Sequence, residues 1–277
     1  LVDSKNPDKS LRVKNIKLRG EYSSGLVIPL SEFPEQFTET CVVGEDVTTL
    51  LGVTKYIKEM PANLSGENIG DFPSHLASKT DEDNGLNDPS LVEKVLSAEP
   101  YITITQKLDG SSITIVVEDG IITQVCSRNL SKKDTENSLF WRSAKKLKIP
   151  NGWSGIIQGE LCGNGIQKNN LKLQDVRIFV FQIKTKDSIY MSYDKMAEFC
   201  KEELNCDVVP LIATLEISAT VKIWVDPLQK LQELADRQRY ESGLVGEGIV
   251  VRPSSYPRSF ESRRPLGFKL INRNYKD

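Results

Sequence analysis

The lysine in the stretch TQKLDGSS, residues 105–112, is a candidate for covalent chemistry. Lys107 stands at the end of a β-rich run, and Asp109, Gly110 and two serines follow it. A free lysine has a pKa of about 10.4, so its amine becomes a nucleophile only where desolvation or a nearby cation favours the neutral form. Residues two apart on a strand share a face, so Asp109 could hold the water shell of a metal ion beside this amine. The KLDG stretch taken alone is more typical of a surface ion pair before a β-turn.

Four other charged residues stand inside apolar strand-like runs or at their ends. Glu160 lies in IIQGELCG, Glu247 in GEGIVVRP, Lys269 in GFKLIN and Arg128 in CSRN. Each of them could be an ordinary charge at a strand end. Together with the lysine and aspartate of KLDG, however, they supply an amine nucleophile, three carboxylates and two further cations. That set suits the transfer of a nucleotidyl group, because a phosphoryl centre needs positive charge and carboxylates hold the metal ion that supplies part of it.

The run RIFVFQIK carries two phenylalanines on one face of a predicted strand. Phe179 and Phe181 alternate along it, so either ring could stack on a nucleobase. Aromatic residues in strands more often belong to the core, and the run by itself leaves both roles open.

The elements that must position these residues mix strands and helices without strict alternation. Alternating or apolar runs bounded by turn residues predict a hairpin turn at Glu118–Gly120 and strands at 101–110, 111–120, 121–129, 154–163, 176–185, 246–253 and 265–272. Apolar residues at helical spacing predict helices at 88–100, 131–149, 192–204 and 227–240. This order favours an α+β fold with antiparallel sheets. The chain has no GxGxxG and no GxxxxGK phosphate loop.

The N-terminal part of the chain is less regular. Residues 11–30 predict two strands around a polar turn at Glu21–Gly25, and residues 44–60 predict a short capped helix. Between 61 and 89 the chain is dominated by Gly, Pro, Asn, Asp and Ser and contains the acidic stretch TDEDNG. That composition predicts a linker.

Composition indicates an intracellular protein that does not cross a membrane. The formal net charge is −2, so the whole chain shows no general attraction to nucleic acid, although a local basic patch could bind it. There is no apolar run of about 18 residues, and the first residues lack the apolar core of a signal peptide. The five cysteines form no CxxC pair, so we expect reduced thiols in a reducing compartment, cytoplasmic or nuclear, and no zinc site. With His75 as its single histidine, the chain gives poor support for a Ser-His-Asp hydrolase.

The ordered motifs resemble those of the covalent nucleotidyltransferase superfamily, which contains ATP-dependent ligases and mRNA capping enzymes. In chain order they are KLDGSS at 107–112, SRN at 127–129, GEL at 159–161, FVFQI at 179–183, EGIVVR at 247–252 and FKLIN at 268–272. The resemblance implies a nucleotidyltransferase domain, ATP-grasp-like, of antiparallel sheets with flanking helices.

The resemblance also implies a role for each motif residue. Lys107 would attack the α-phosphate of ATP, expel pyrophosphate and carry a lysine–AMP adduct. The AMP would then pass to a 5′-phosphate end, and a 3′-hydroxyl would displace it to seal the strand. Asp109, Glu160 and Glu247 would position the catalytic Mg²⁺ or Mn²⁺ through waters, and Glu160 could also reach the ribose. The other positions would contact the nucleotide: Gln106 and Phe181 the adenine, Arg128 the sugar or the phosphate end, and Lys269 the α-phosphate.

Two features resemble the ATP-dependent RNA ligases within this superfamily. KLDGSS is in a form without Arg after the Gly, and the N-terminal segment resembles the OB module that precedes the catalytic domain in one group of nick-sealing RNA ligases. About 60 residues are too few for a closed five-stranded barrel, so this module is expected to be truncated at its N-terminus. We therefore expect an OB-like module at 1–62, a linker at 63–87 and the nucleotidyltransferase domain at 88–277.

The expected substrate is RNA with 3′-hydroxyl and 5′-phosphate ends, in particular a nick in a duplex, repaired by a monomeric enzyme. Basic stretches at 14–20 and 131–148 could bind RNA phosphates, or they could be solvated faces. A DNA ligase, a capping-type guanylyltransferase and a non-catalytic nucleotide- or RNA-binding relative remain the alternatives.

Two positions depart from the pattern of related ligases. Ile271 stands where a second basic residue is often found, and Gln182 stands where an acidic residue is more usual. The missing cation leaves open which residue binds the end phosphates. The nearby candidates are Arg252, Arg258, Arg263 and Arg264.

Overall fold

The chain divides into two units, Leu1–Glu59 and Met60–Asp277. The computed structural model describes residues 2–3, 6–10, 16–18, 21–23, 27–33, 42, 46–48, 50–51, 67–218, 224–255 and 266–276. The first unit contains two antiparallel pairs and a 3-10 turn: β1 (Val2–Asp3) with β2 (Asn6–Ser10), β3 (Ile16–Leu18) with β4 (Glu21–Ser23), and the turn at Leu30–Glu32.

The first unit tests few of the predictions made for it. β4 at Glu21–Ser23 pairs with β3, with Glu21 opposite Leu18, so the first part of the predicted turn at Glu21–Gly25 is strand. The predicted helix at 44–60 and most of the predicted OB-like module at 1–62 lie outside the described residues. The OB assignment and the boundary of this module at residue 62 therefore stay predictions.

The second unit contains two β-sheets. Its strands are β5 (Asn68–Asp71), β6 (Asp83–Asn84), β7 (Tyr101–Lys107), β8 (Ser111–Glu118), β9 (Ile121–Cys126), β10 (Leu130–Lys132), β11 (Gly155–Cys162), β12 (Arg177–Thr185), β13 (Asp207–Val208), β14 (Leu211–Glu216), β15 (Gly248–Pro253) and β16 (Phe268–Ile271). One sheet has the order β13-β12-β11-β8-β9-β10-β5, and the other has the order β14-β7-β15-β16-β6. All pairs are antiparallel except β12–β13 and β16–β6. The predicted α+β class and its antiparallel sheets are confirmed.

Among the described residues of this unit, four α-helices pack on the sheets: α1 (Pro89–Ala98), α2 (Leu139–Ala144), α3 (Tyr193–Phe199) and α4 (Pro227–Asp236). The first and the last begin alike, with a proline in the first turn and an aspartate N-cap. The Asp88 carboxylate accepts from the Leu91 amide at 3.1 Å, and the Asp226 carboxylate accepts from the Gln229 amide at 2.9 Å. None of the described helices is long and apolar enough to cross a membrane.

Each sheet has its own hydrophobic core. The core of the seven-stranded sheet includes Ile113, Ile115 and Ile157. The helices α2 and α3 pack against it through residues such as Trp141 and Met196. The core of the five-stranded sheet receives the apolar faces of α1 and α4, with side chains such as Val95, Leu231, Ile249 and Phe268. Two separately packed sheets therefore form rigid walls on which functional side chains can be held.

Two sequence-based predictions are wrong in the second unit. The helix predicted at 131–149 is only the short α2, because the residues before it enter the sheet as β10, where Ser131 pairs with Cys126 and Gly70. The segment predicted as a linker at 63–87 contributes an edge strand to each sheet, β5 and β6. Edge strands need only backbone hydrogen bonds on one side, so a polar, glycine-rich sequence can form them.

The hairpin turn predicted at Glu118–Gly120 is confirmed. Asp119 and Gly120 have φ values of 51° and 79° between β8 and β9. Two consecutive positive φ angles are the signature of the turn that matches the twist of a tight hairpin.

The crossover between the sheets occurs at residues 108–110, because β7 belongs to the five-stranded sheet and β8 to the seven-stranded one. Gly110 is needed at this point. A Cβ atom there would lie 2.5 Å from the Leu161 carbonyl oxygen, 2.7 Å from the Cys162 sulfur and 2.8 Å from Cγ of Glu160. The glycine thus lets the loop after Lys107 pack directly on β11.

We expect Gly110→Ala to lower the free energy of unfolding by about 1–3 kcal/mol, because backbone atoms of β11 would have to move. Gly70→Ala is the matched control, since a Cβ atom at Gly70 meets nothing within 4 Å. Urea unfolding followed by circular dichroism measures both variants. Equal stability of the two variants would contradict the close approach at Gly110.

Candidate active site

A cavity of about 610 Å³ lies between the two sheets. Walls from both sheets and from the crossover loop enclose it. All eight residues predicted to act on the nucleotide line this cavity: Gln106, Lys107, Asp109, Arg128, Glu160, Phe181, Glu247 and Lys269. The structure therefore brings together side chains that are spread over more than half of the sequence.

The Lys107 amine lies 2.6 Å from Oε1 of Glu247. The pairing of β7 with β15 causes this contact, because it places Lys107 opposite Gly248, the residue after Glu247. Gly248 has a φ of +149°, and a Cβ atom there would lie 2.1 Å from the Leu270 carbonyl oxygen. Both side chains are largely shielded, with 26% and 17% of their surfaces exposed. An ammonium and a carboxylate are thus held together at the cavity wall.

Glu160 is a half-buried acidic side chain of the site. Burial raises the pKa of Glu160 to about 8; Lys107 opposes the shift, whereas Glu247 and Asp109 add to it. The pKa of Glu160 therefore depends on its burial, on the two neighbouring carboxylates and on the Lys107 amine. Within the described residues, no three His, Cys, Asp or Glu side chains are close enough to hold a metal ion directly. Asp109, Glu160 and Glu247 offer only oxygen atoms, which Mg²⁺ and Mn²⁺ prefer, and their spacing fits an ion that keeps its water shell. Metal binding through waters stays a prediction.

Asp109 is oriented by residues that the sequence analysis did not single out. Its Oδ2 accepts a hydrogen bond from Nδ2 of Asn170 at 2.9 Å, and the same amide nitrogen lies 3.2 Å from the Tyr275 hydroxyl. The Ser242 hydroxyl in turn donates to the Asn170 carbonyl oxygen at 2.6 Å. Nothing local in the sequence marks these residues, because Asn170, Ser242 and Tyr275 are far apart in the chain and meet only in the folded protein.

Asp81 joins the two cations that were predicted to bind phosphate. Its Oδ1 lies 3.2 Å from the Lys269 amine, and its Oδ2 is paired with the Arg128 guanidinium. Burial lowers the pKa of Lys269, and Lys107 adds to this shift. Asp81 comes from the acidic stretch that was predicted to be a linker, so the sequence analysis missed it.

Phe181 lies at the cavity wall under an arginine. The guanidinium carbon of Arg252 is 5.7 Å from the centre of the Phe181 ring, and its Nη1 donates to the Phe181 carbonyl oxygen at 3.2 Å. Arg252 is buried and also donates from Nε to the Glu82 carboxylate at 3.1 Å. Of the four arginines considered for the end phosphates, Arg252 is therefore engaged within the protein. The other three, at 258, 263 and 264, lie outside the described residues.

Gln106 and Gln182 use their amides inside the protein. Nε2 of Gln106 donates to the Arg239 carbonyl oxygen at 2.8 Å, so a contact of Gln106 with adenine, which stays a prediction, would have to use its other atoms. Nε2 of Gln182 donates to Oε1 of Gln158 at 2.6 Å, and Gln158 donates to the Thr114 hydroxyl at 3.1 Å. A buried carboxylate at position 182 would carry an uncompensated charge there, which explains the glutamine.

Comparison with known proteins identifies relatives of this fold and site. Residues 100–270 match the model of the family described as RNA ligase. None of the curated proteins compared with the chain matches it.

Solved structures of an RNA ligase from Naegleria gruberi match nearly the whole chain. A mutant with ATP and Mn is 28% identical, with a TM-score of 0.60, over 95% of this chain and 75% of that one. A second mutant, with AMP and Mn, is 27% identical, with a TM-score of 0.59, over 94% and 74%. The same enzyme with PPi also matches, at 27% identity and a TM-score of 0.59, over 94% and 74%.

We expect Glu160→Gln to remove a pH dependence of stability. The pKa of Glu160 is raised from 4.5 to about 8, so the folded protein keeps this proton to higher pH than the unfolded chain does. Stability of the metal-free protein should therefore fall as pH rises from about 4.5 to about 8. The neutral glutamine lacks this loss, so the stability of the variant relative to the parent should increase with pH across that window.

Urea unfolding in a chelating buffer at about pH 5, 6.5 and 8 measures this difference. Glu203→Gln, at an exposed position, is the control and should follow the parent at every pH. Parallel pH profiles of Glu160→Gln and the parent would contradict the buried carboxylate.

Proposed function

The chain belongs to the RNA ligase family, and from that premise we propose that it seals RNA ends through a covalent lysine–AMP adduct at Lys107. It is an ATP-dependent enzyme that uses a divalent metal ion. The observation that carries this proposal is the Lys107 amine in the cavity, 2.6 Å from Glu247 and surrounded by the predicted carboxylates and cations.

Lys107 is the nucleophile of the first step. Its neutral amine attacks the α-phosphorus of ATP, a bond between nitrogen and phosphorus forms, and the bond to the β-phosphate oxygen breaks. Pyrophosphate leaves with that electron pair, and the amine loses a proton. Because an ammonium has no lone pair, Lys107 must first give up a proton, and the Glu247 carboxylate, 2.6 Å from the amine, is placed to accept it.

The carboxylates have a different task from the lysine. Asp109, Glu160 and Glu247 supply the oxygen groups that would hold hydrated Mg²⁺ or Mn²⁺, and the bound ion supplies positive charge at the phosphates. Glu160, whose carboxyl has a pKa of about 8 without metal, would give up this proton in order to hold the ion. An ion held beside Glu247 would weaken the ion pair of Glu247 with Lys107 and so favour the neutral amine.

The two cations that share Asp81 bind phosphate. Lys269 contacts the α-phosphate, and Arg128 contacts the sugar or the phosphate end. Without nucleotide, the Asp81 carboxylate takes the place of an anion between them. Binding of ATP therefore exchanges an internal carboxylate for a phosphate, so these cations remain compensated in both states.

The adenine base is bound by the wall that contains Phe181. Its ring stacks on the base, and Arg252 holds the ring in place through its cation–π contact and its bond to the Phe181 carbonyl oxygen. Gln106 contributes to base recognition through the atoms that its bond to Arg239 leaves open.

In the second step a 5′-phosphate oxygen attacks the phosphorus of the adduct. The bond to Lys107 breaks, and the amine regains its proton. A 3′-hydroxyl then attacks the 5′-phosphate and AMP leaves, which seals the strand.

We propose a nick in duplex RNA as the substrate, RNA repair as the role, a monomer as the active form and a reducing cellular compartment as its location.

We expect the parent protein to become covalently labelled by α-labelled ATP with Mg²⁺ or Mn²⁺, and Lys107→Met to remain unlabelled. The reason is that methionine has a side chain of similar length but no amine. Denaturing gel electrophoresis measures the label, and Lys195→Met, at an exposed position on α3, should label like the parent.

Label on Lys107→Met would assign the nucleophile to another residue. A parent that stays unlabelled with both ATP and GTP would overturn the ligase mechanism and favour a non-catalytic binding protein. Labelling by GTP in preference to ATP would indicate a guanylyltransferase, and sealing of DNA nicks in preference to RNA nicks would indicate a DNA ligase.

We expect charge reversal at Lys145 and Lys146 to weaken binding of nicked duplex RNA at low salt. Both side chains are exposed at the end of α2, and the ion pair of Lys145 with Asp134 is a surface pair that contributes little. Each lysine that contacts a phosphate should reduce the slope of log K against log salt by about 1.

Titration of labelled RNA by fluorescence anisotropy at several salt concentrations measures the slope. Lys195 lies on α3 and Lys201 in the turn that follows it, and both are exposed; charge reversal at these two lysines gives a control with the same change in net charge. Equal slopes in the two double variants would place the RNA surface elsewhere.

A further inference from the structure

The hydroxyl of Tyr240 connects the two main-chain segments that carry Lys107 and Glu247. It accepts hydrogen bonds from the amide of Asp109 at 3.1 Å and from the amide of Glu247 at 3.0 Å. It also donates to the carbonyl oxygen of Lys107 at 3.4 Å. A phenol has one proton to donate and can accept two hydrogen bonds, so this single oxygen uses its whole hydrogen-bonding capacity on the active-site backbone.

These backbone groups lie where the two strands begin or end. β7 ends at Lys107, and the chain then crosses to the other sheet; β15 begins only at Gly248. The amides of Asp109 and Glu247 therefore lie beyond the ladder that joins the strands. A buried amide without a partner is costly, so the phenol takes the place of the missing strand neighbours.

The position of Tyr240 is itself fixed. Its side chain is only 4% exposed and packs in the core of the seven-stranded sheet, which also contains Leu108. Its amide donates to the Leu244 carbonyl at 2.9 Å, and its carbonyl accepts from the Gly243 amide at 2.8 Å. The turn that holds Tyr240 therefore ends just before Glu247.

We propose that Tyr240 is a positioning residue that sets the distance between the Lys107 amine and Glu247 and so determines the rate of adduct formation. This inference rests on the proposed function of Lys107. Tyr240 does not touch the reacting atoms; it acts through the backbone on both sides of the 2.6 Å contact between Lys107 and Glu247. Loss of its hydroxyl would allow the two segments to shift, and misplacement of reacting groups by about 1 Å lowers a rate by about 100-fold.

Tyr240→Phe tests this proposal, because phenylalanine keeps the packing of the ring and removes only the oxygen. Tyr190→Phe is the matched control. Tyr190 is a buried tyrosine of the same core, and its hydroxyl lies 3.4 Å from the Ser78 hydroxyl, away from the nucleophile.

Single-turnover labelling with ATP at several concentrations gives the maximal rate and the half-saturating ATP concentration for each protein. We expect Tyr240→Phe to lower the maximal rate by about 10- to 100-fold and to leave half-saturation within about twofold of the parent. Tyr190→Phe should keep both values within about twofold. An unchanged maximal rate in Tyr240→Phe, or a loss confined to half-saturation, would overturn the proposal.

Amide hydrogen exchange of the ATP-free proteins gives a readout that is independent of activity. In Tyr240→Phe the amides of Asp109 and Glu247 should exchange faster, whereas the amide of Ile249 inside β15 should keep its protection. Unchanged exchange at Asp109 and Glu247, or faster exchange throughout β15, would contradict positioning by the hydroxyl.

The two proposals fail in different ways. If the parent forms no adduct, the proposed function fails. If the parent forms the adduct and Tyr240→Phe forms it equally fast, only the role of Tyr240 fails.

Discussion

The antiparallel pairing of β7 with β15 is the constraint on which the active site depends. It sets Lys107 opposite Gly248 and thereby places Glu247 next to the amine. The pairing of β15 with β16 extends the same wall to Lys269, which lies opposite Val250. Gly248 permits this approach, since any side chain there would collide with the backbone of β16. The strand ladder therefore fixes the proposed nucleophile, the proposed phosphate-binding cation and the residue next to Glu247 by backbone hydrogen bonds.

Charge compensation is the second principle of the site. The cavity is lined by five cations, Lys107, Arg128, Lys168, Arg252 and Lys269, and by five carboxylates, Asp81, Glu82, Asp109, Glu160 and Glu247. Unpaired charges are costly to bury, so the ion pair of Glu82 compensates the buried Arg252, while Asp81 pairs with the more exposed Arg128 and Lys269. A nucleotide with its metal ion carries both negative and positive charge. Its phosphates can replace a carboxylate as the partner of a cation in the cavity, so binding adds no uncompensated charge.

The parts of the fold that could be predicted are those determined by neighbouring residues. The strand runs around Lys107, Glu160 and Phe181 and the Asp119–Gly120 turn carry their structure in local alternation and turn chemistry. The errors lie where tertiary contacts override local preference. Residues 131–149 look helical, yet their first part is drawn into the sheet by Cys126 and Gly70. Residues 63–87 look like a linker, yet they complete the edges of both sheets.

By itself, the sequence determined which residues could act as nucleophile, carboxylates and cations, because residue type and order along the strands carry that information. Only the tertiary structure decided which residues support them. Asp81 meets Lys269 across a separation of 188 residues, and Tyr240 meets Asp109 across 131. Such partners leave no periodic or local signal, because the contact exists only where the two sheets meet at the crossover after Lys107.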